Sequence, residues 1–370
     1  MLPERKRRWL GGWRIERRPA PTAWMRWASP LLALLLTALI AAVLFAMLGK
    51  NPWQGLAVFF VEPLRNAYAL SELALKATPL LLCALGLAIG FRANVWNIGA
   101  EGQFLLGAIC AGWVALQVGG AALFDLTSLG SGGLITLVLL AGMLGGMAWA
   151  GIVAWLRDRC NANEILVSLM LVYVAQLLLA WLVYGPMKDP AGFNFPQTPR
   201  FSAASALPRL IEGTRLHIGF VVALLAAVAA WLFMFRARAG HALQVAGLAP
   251  QAARYAGYSA RQALWTSLLI SGAAAGLAGA FEAAGPLRQL TPYVSAGYGF
   301  AAIIVAFVGR LHPLGIVLTS LLLSMFFIGG ELAQSRLGLP NALSGVFQGV
   351  LLFSLLACDA LILYRLRRVT

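Results

Sequence analysis

The sequence predicts an all-α membrane protein with about ten transmembrane helices. Of its 370 residues, 61% are hydrophobic and only 11% are charged, whereas soluble domains usually carry about 25% charged residues. The apolar residues fall into runs of roughly 20, the length that crosses a bilayer as a helix. The net charge of +15 comes largely from basic residues at the two ends and in a few loops. That placement is typical of the positive-inside rule and not of nucleic-acid binding, so no nucleic-acid partner is expected.

Ten apolar runs form the predicted transmembrane domain, residues 30–364. In chain order they are Pro30–Leu48, Leu73–Phe91, Gly99–Val118, Leu134–Leu156, Ile165–Gly185, Ile218–Phe235, Leu264–Gly285, Gly297–Gly309, Leu314–Gly330 and Ala342–Tyr364. The run Gly297–Gly309 is short for a full crossing. The stretch Trp53–Leu64 is apolar but brief, and we expect it to be interfacial or re-entrant.

Basic residues beside the runs predict the orientation. Seven Lys and Arg residues lie between Arg5 and Arg18, inside the N-terminal segment 1–29, and three arginines lie in the tail 365–370. The positive-inside rule therefore places both termini in the cytoplasm and requires an even number of crossings. A cleaved signal peptide is the rival interpretation, but a long basic segment followed by many spans does not fit it.

The ten helices divide into two halves of five, residues 30–185 and 218–364, joined by a predicted external loop, 186–217. When a unit with an odd number of transmembrane helices is followed by a second copy, the second copy has the opposite orientation in the membrane. The break Arg92–Gln103 separates the second and third helices, and Gly285–Phe300 separates the seventh and eighth. Glycine-interrupted segments at matching positions of inverted halves predict a substrate pathway.

Both breaks carry polar and aromatic side chains that suit a substrate with ring and hydroxyl groups. Aromatic faces stack on bases, and Asn, Gln and Glu bind polar edges or hydroxyls. Polar groups at membrane depth are expensive unless they are paired or face a cavity. Asn97 and Glu101 therefore either contact the cargo or satisfy backbone groups freed at the break, and Glu101 suits a cap on the third helix. The predicted pathway residues are Trp96, Asn97, Glu101, Gln103, Tyr293, Tyr298 and Phe300.

Residues 236–262 form the longest polar stretch on the predicted cytoplasmic side after the N-terminal segment. Within it, Pro250 suits a first helical turn and Gly257 suits a helix end. Alanines between them would allow a partner to approach closely. A solvated loop with a stray helical turn is the alternative, but a structured loop of this length favours a function. The predicted docking residues are Pro250, Ala252, Ala253, Arg254, Tyr255 and Gly257.

The motifs of catalysis and metal binding are missing from the sequence. There is no G-x-x-x-x-G-K-[ST] loop and no H-E-x-x-H, and His217, His241 and His312 are isolated. The four cysteines are scattered and include no C-x-x-C pair. We therefore expect a chain that is not an enzyme and that holds no metal or cofactor.

Four stretches resemble a known family. They are "RANVWNIGAEGQ" (Arg92–Gln103), "NEILVSLMLVYVA" (Asn163–Ala175), "YGPMKDPAGFNFPQT" (Tyr184–Thr198) and "GYGFAAIIVAFVGRLHPLG" (Gly297–Gly315). These resemble membrane permease subunits of bacterial ATP-binding cassette (ABC) importers, in the branch that carries ribose-type sugars and nucleosides. The resemblance runs from about Pro30 to Leu363. The N-I-G-x-E-G-Q and G-P-x-K-D-P elements look most like the nucleoside-uptake permeases.

The resemblance implies a type II-like importer fold in the inner membrane and a function in moving nucleosides inward. It implies cytoplasmic ATPase domains, which hold ATP and Mg and dock on a coupling helix at Pro250–Gly257. It also implies an external substrate-binding protein and a second permease subunit, commonly a different chain. Gln251 before Ala252 and Ala253 departs from the "E-A-A" loop of other importer permeases, which leaves the individual docking contacts open.

Two alternatives to a nucleoside permease stay open. One is a simple-sugar permease of the same fold. The other is an ion-coupled secondary transporter, for which Glu101, Glu282 and Asp359 are the candidates for an ionisable relay, although they form no obvious chain.

Overall fold

A computed structural model of the chain describes residues 13–17, 23–118 and 126–368. Most of the predicted basic N-terminal segment and the last two residues lie outside this part. The described residues are mainly helical. In chain order the helices are α1 (Ala23–Met47), α2 (Pro52–Phe60), α3 (Ala67–Arg92), α4 (Ala100–Ala115), α5 (Gly130–Cys160), α6 (Glu164–Tyr184), α7 (Gly219–Phe235), α8 (Arg238–Leu248), α9 (Pro250–Tyr255), α10 (Ala260–Glu282), α11 (Tyr298–Val308), α12 (Pro313–Leu337) and α13 (Leu343–Leu363).

Every predicted apolar run lies on a helix, which confirms the predicted helical membrane fold. Among the described residues, seven helices are long and apolar enough to cross a membrane, or eight if α7 and α8, bent by 65°, form one span. The helices α4 and α11 have only 16 and 11 residues. At 1.5 Å per residue they reach about 24 and 16 Å, less than the ~30 Å hydrocarbon core. The predicted run Gly99–Val118 is therefore a short helix and not a full crossing.

The chain divides into two compact units, and the terminal unit comprises Met1–Glu62 and Gly329–Thr370. In this unit α1 packs against α13. The rings of Phe45, Phe59 and Phe347 pack together, with centroids 4.9 to 5.9 Å apart. The stretch Trp53–Leu64, which we expected to be interfacial or re-entrant, contains most of α2 and a 3-10 turn.

The terminal unit also contains a small sheet that the all-α prediction missed. Strand β1 (Trp13–Arg17) pairs antiparallel with β2 (Tyr364–Arg368), with Trp13 opposite Arg368. Strand pairing between the two ends of a chain is a contact of maximal sequence separation, which local sequence patterns do not reveal.

In the central unit, Pro63–Ile328, the helices α4, α5 and α10 pack closely against one another at glycine residues. A Cβ atom on Gly276 would lie 2.3 Å from the carbonyl oxygen of Gly142, and one on Gly107 would lie 2.3 Å from the Cα atom of Gly276. Small residues let helix backbones approach closely, which is a main source of helix association in membranes.

The two compact units do not coincide with the predicted halves, 30–185 and 218–364. An inverted repeat is a relation between helices and need not be a compact unit, so the two halves stay a prediction. The local pattern does recur, because both breaks connect a long helix, α3 or α10, to a short one, α4 or α11.

Candidate functional site

The first break, between α3 and α4, is held by a buried amide network. Asn97, which is 1% exposed, donates hydrogen bonds of 2.9 Å to Gln103 Oε1 and to Ser271 Oγ on α10. Its own Oδ1 accepts from the Gly99 N–H at 2.9 Å and from Gln103 Nε2 at 3.2 Å. The Ser168 hydroxyl on α6 accepts the Ile98 N–H at 3.2 Å. These side chains satisfy backbone groups that the break frees, as the bilayer interior requires.

The second break is capped by a residue of the first. Glu101, on α4 and 3% exposed, accepts the Gly299 N–H of α11 at 2.7 Å. The Ser295 hydroxyl and the Phe300 N–H are further donors to the same carboxylate. Glu101 lies in the first turn of α4, as the cap prediction requires, but its described hydrogen-bond partners lie at the start of α11. A carboxylate there satisfies orphan N–H groups and complements the helix dipole.

Glycine makes this meeting of α4 and α11 possible. A Cβ atom on Gly299 would lie 2.2 Å from the backbone nitrogen of Glu101, a distance that real atoms do not reach. Gly297, directly before α11, has a φ of 86°, a backbone conformation that glycine adopts without steric strain. The start of α11 thus touches the first turn of α4.

The aromatic residues of the predicted pathway separate into exposed and buried ones. Trp96 is 37% exposed and stacks on Phe307, with ring centroids 6.1 Å apart. Tyr293 and Phe300 are exposed, whereas Tyr298 is buried against Phe104 and Phe327. Three of the four aromatic candidates therefore present surface that a cargo or another chain could contact.

Sequence reasoning missed Lys76, which contacts this site. Its Nζ lies 3.2 Å from the hydroxyl of Tyr298. A lysine inside an apolar run is itself a signal, because ionisable residues within spans are rare and usually functional. The serines Ser168, Ser271 and Ser295 were also missed, and they carry no such signal because serine is ordinary in helix contacts.

Residues 186–217 form an ordered cap over the second break. The Phe201 N–H donates to the carbonyl of Arg288 at 2.8 Å, and the Thr198 N–H donates to that of Leu290 at 3.0 Å. Beside these contacts is a cavity of about 310 Å³. Its lining includes His217 and four arginines, namely Arg200, Arg209, Arg215 and Arg288.

The charges around this cavity are mostly positive. Arg215 forms an ion pair with Glu72 of α3, which leaves three further guanidinium groups in the lining. Burial lowers the pKa of His217 to about 4, so its imidazole is neutral at neutral pH. In that state its Nδ1 accepts the Gly219 N–H at 3.1 Å. The cavity is therefore suited to an anionic group.

The predicted cytoplasmic loop, residues 236–262, contains two short helices, α8 and α9, and the predicted docking residues lie on and just after α9. Tyr255 is 96% exposed, and Ala252 and Arg254 are exposed beside it. Ala253 is only 2% exposed and faces the chain itself. Pro250 begins α9, and Gly257 follows it with a φ of 80°.

The helix α8 lies directly against the first break. A Cβ atom on Gly247 would lie 2.6 Å from the carbonyl carbon of Ala93. At the start of α10, Arg261 donates to Asp158 of α5 at 2.8 Å. The helix α8, which directly precedes α9, therefore packs against backbone that leads into the Asn97 network.

Several known proteins are similar to this chain over most of its length, and three of them are described below. The chain is 36% identical over 359 residues to the glucose ABC transporter permease protein TsgB13 of Haloferax volcanii, covering 94% of this chain and 92% of that one. It is 30% identical over 318 residues to the guanosine ABC transporter permease protein NupP of Bacillus subtilis, covering 84% and 88%. It is 28% identical over 332 residues to the nucleoside ABC transporter permease protein NupB of Lactococcus lactis, covering 88% and 89%.

A family description also matches most of the chain. Residues 69–356 match the family described as branched-chain amino acid transport system / permease component. The match includes both breaks, the cap over the second break and the α8–α9 segment. It confirms the predicted permease resemblance. The chain belongs to this family of permease components.

Proposed function

We propose that the chain is the permease subunit of an ATP-driven importer that moves nucleosides inward across the bacterial inner membrane, with both termini in the cytoplasm. Family membership and the ABC transporter relatives support the permease role. The chain is a permease and not itself the ATPase, so a partner subunit would bind ATP and Mg and hydrolyse the ATP. A second, different permease subunit would complete the transporter.

The observation that carries the pathway assignment is the meeting of α4 and α11. Two helices too short to span the membrane meet at Glu101, inside the apolar central unit. Discontinuous helices whose N-termini point inward build substrate sites in transporters. The similarity to ABC transporter permease proteins supports this assignment over an ion-coupled carrier.

The cargo in this proposal is a nucleoside, with a simple sugar as the alternative. The named relatives act on guanosine, nucleosides and glucose, so all three cargo types contain a sugar or sugar-derived ring. Trp96, which is stacked on Phe307 and packed at a tilt against Phe91, supports a nucleoside because it offers an aromatic face to a base.

Uptake measurements would test the cargo. A strain that lacks the transporter should take up no labelled guanosine or uridine by this route. Expression of this chain together with its partner subunits should restore ATP-dependent uptake of both. Labelled ribose and glucose are the matched comparison. If deletion removes sugar uptake and leaves nucleoside uptake unchanged, the nucleoside proposal is wrong and the sugar alternative replaces it.

We propose that the ATPase docks on α9 through Tyr255 and Arg254, helped by Ala252 and the helix bounds Pro250 and Gly257. Because Ala253 faces its own chain, substituting it would test packing and not docking.

Tyr255→Ala should lower transport and ATPase co-purification about tenfold or more, because an exposed aromatic anchor at an interface is worth about 2 kcal/mol. Tyr68→Ala is the matched control, since Tyr68 is an exposed tyrosine at the start of α3, and it should leave both readouts unchanged. Co-purification at the wild-type level in the Tyr255 variant would refute the docking site.

We propose that the external binding protein docks on residues 186–217. Phe193, which is 94% exposed, and the exposed Phe195 lie in the same segment as the arginine-lined cavity. Arginine and aromatic residues are enriched in protein interfaces, whereas exposed phenylalanine is unfavourable without a partner. A partner that presents a carboxylate side chain fits the charge of the cavity.

The double variant Arg200→Ala/Arg209→Ala should weaken the binding protein's affinity for the reconstituted transporter about tenfold and reduce its salt dependence. The measurement is binding to nanodiscs at two salt concentrations. Arg65→Ala, an exposed arginine outside the cavity lining, should change the affinity less than twofold. Equal affinity and salt dependence in the double variant and the wild type would rule out this surface.

A further inference from the structure

We propose that Lys76 is a binding residue for the sugar hydroxyl groups of the cargo, and that Tyr298 positions its ammonium group. The two residues belong to different helices, α3 and α11, and Nζ lies 3.2 Å from the tyrosine hydroxyl and 5.8 Å from the ring centroid. This inference rests on the proposed import of a sugar-containing compound.

The position of Lys76 requires a polar neighbour. It lies nine positions after Ala67, the first residue of α3, which is about 14 Å along the helix. No other lysine lies inside a described helix. A charged side chain at such depth is unfavourable unless it faces a cavity or a polar partner, and Lys76 keeps part of its surface exposed.

The neighbours of Lys76 on α3 and α11 contact both the loop of residues 186–217 and the predicted pathway residues. Glu72 lies four residues earlier on the same face of α3 and pairs with Arg215 of residues 186–217. Tyr298 begins α11, next to Gly299, whose N–H binds Glu101. Lys76 thus lies between the arginine-lined cavity and the junction of the two short helices.

The chemistry of this pair suits hydroxyl groups. An ammonium group has three rotatable N–H donors and no acceptor, so it binds oxygen acceptors such as neighbouring hydroxyls of a sugar. Tyr298 is buried between Phe104 and Phe327, which fixes its hydroxyl and so holds the ammonium in place. A cationic cargo would be repelled at this point, whereas a neutral cargo with several hydroxyls would be bound.

Discrimination between cargo molecules tests this role. The assay compares uptake of a ribonucleoside with its 2′,3′-dideoxy form, and of glucose with 2-deoxyglucose, in the wild type and in Lys76→Met. Because hydrogen bonds to charged groups are strong, the wild type should prefer the hydroxyl-bearing form of its cargo about tenfold or more. Lys76→Met should lower uptake of the hydroxyl-bearing form to the level of the deoxy compound. It should change uptake of the deoxy compound by less than about twofold. Lys76→Arg should keep part of the preference, and Tyr298→Phe should reduce it in part.

Lys50→Met replaces a lysine three residues after the end of α1; it is the matched control and should keep the full preference. If Lys76→Met lowers uptake of both compounds equally and leaves the ratio unchanged, Lys76 is structural and the inference is overturned. A wild-type transporter that takes up none of the four compounds overturns the proposed function, and the hydroxyl site with it.

Discussion

Replacing Glu101 by alanine should abolish transport and remove about 3 kcal/mol of the free energy of unfolding. The carboxylate accepts the Gly299 and Phe300 N–H groups and the Ser295 hydroxyl. Without it, these donors remain buried in an apolar region with no acceptor from this side chain. Thermal unfolding in detergent, together with uptake in cells, measures both effects.

Two further variants make this prediction specific. Glu101→Gln keeps one carbonyl oxygen as an acceptor and should lose about half as much stability. Glu212→Ala removes an exposed glutamate in the loop of residues 186–217 and should change stability by less than about 0.5 kcal/mol. A Glu101→Gln variant with wild-type stability but no transport would indicate contact with the cargo, whereas a fully stable Glu101→Ala variant would contradict the capping role.

Gly276→Ala should destabilise the chain by about 3 kcal/mol or more, because overpacking a tight core displaces backbone. The added Cβ would meet the Gly142 carbonyl oxygen at 2.3 Å and Gly146 Cα at 2.9 Å. Backbone atoms of two neighbouring helices cannot move aside as a flexible side chain does. The expected result is a low yield of folded protein and a lower unfolding temperature.

Gly349→Ala provides the control for helix propensity. Gly349 lies inside α13, and a Cβ atom there would meet nothing within 4 Å. Alanine should therefore be neutral or stabilising by up to about 1 kcal/mol. Equal stability of the Gly276 and Gly349 variants would show that the contact of Gly276 with Gly142 and Gly146 has room for a methyl group.

Much of the fold follows from the sequence because bilayer thickness imposes a length on apolar runs. All ten runs lie on helices, and both breaks are where glycine and polar residues interrupt them. It is harder to predict which face of a short helix is buried against the rest of the chain and which is exposed. Ala253 illustrates this, because alanine is common both in helix contacts and on exposed faces, and only packing decides which one it occupies.

The partners of the site residues could not be predicted, since they are distant in sequence. Asn97 bonds Ser271, Glu101 bonds Gly299, and Lys76 bonds Tyr298. Each pair joins the first break or α3 to α10 or α11, about 170 to 220 residues later. The sequence singled out Asn97 and Glu101 as residues that need partners but not Lys76, and only the three-dimensional packing identified the partners of all three.

The capping of the second break by a residue of the first has a thermodynamic consequence. Glu101 belongs to the first break and caps the start of α11 in the second. The free energy of this interaction therefore contributes to the stability of both breaks. Any rearrangement that withdraws Gly299 leaves the first break with an uncompensated carboxylate, and any movement of α4 exposes the start of α11. By linkage, whatever favours opening at one break must be felt with equal strength at the other. The contact of α8 with Ala93 connects the first break to α9, which follows α8 directly and is the proposed docking site of the ATPase. The same reciprocity therefore extends to ATPase docking.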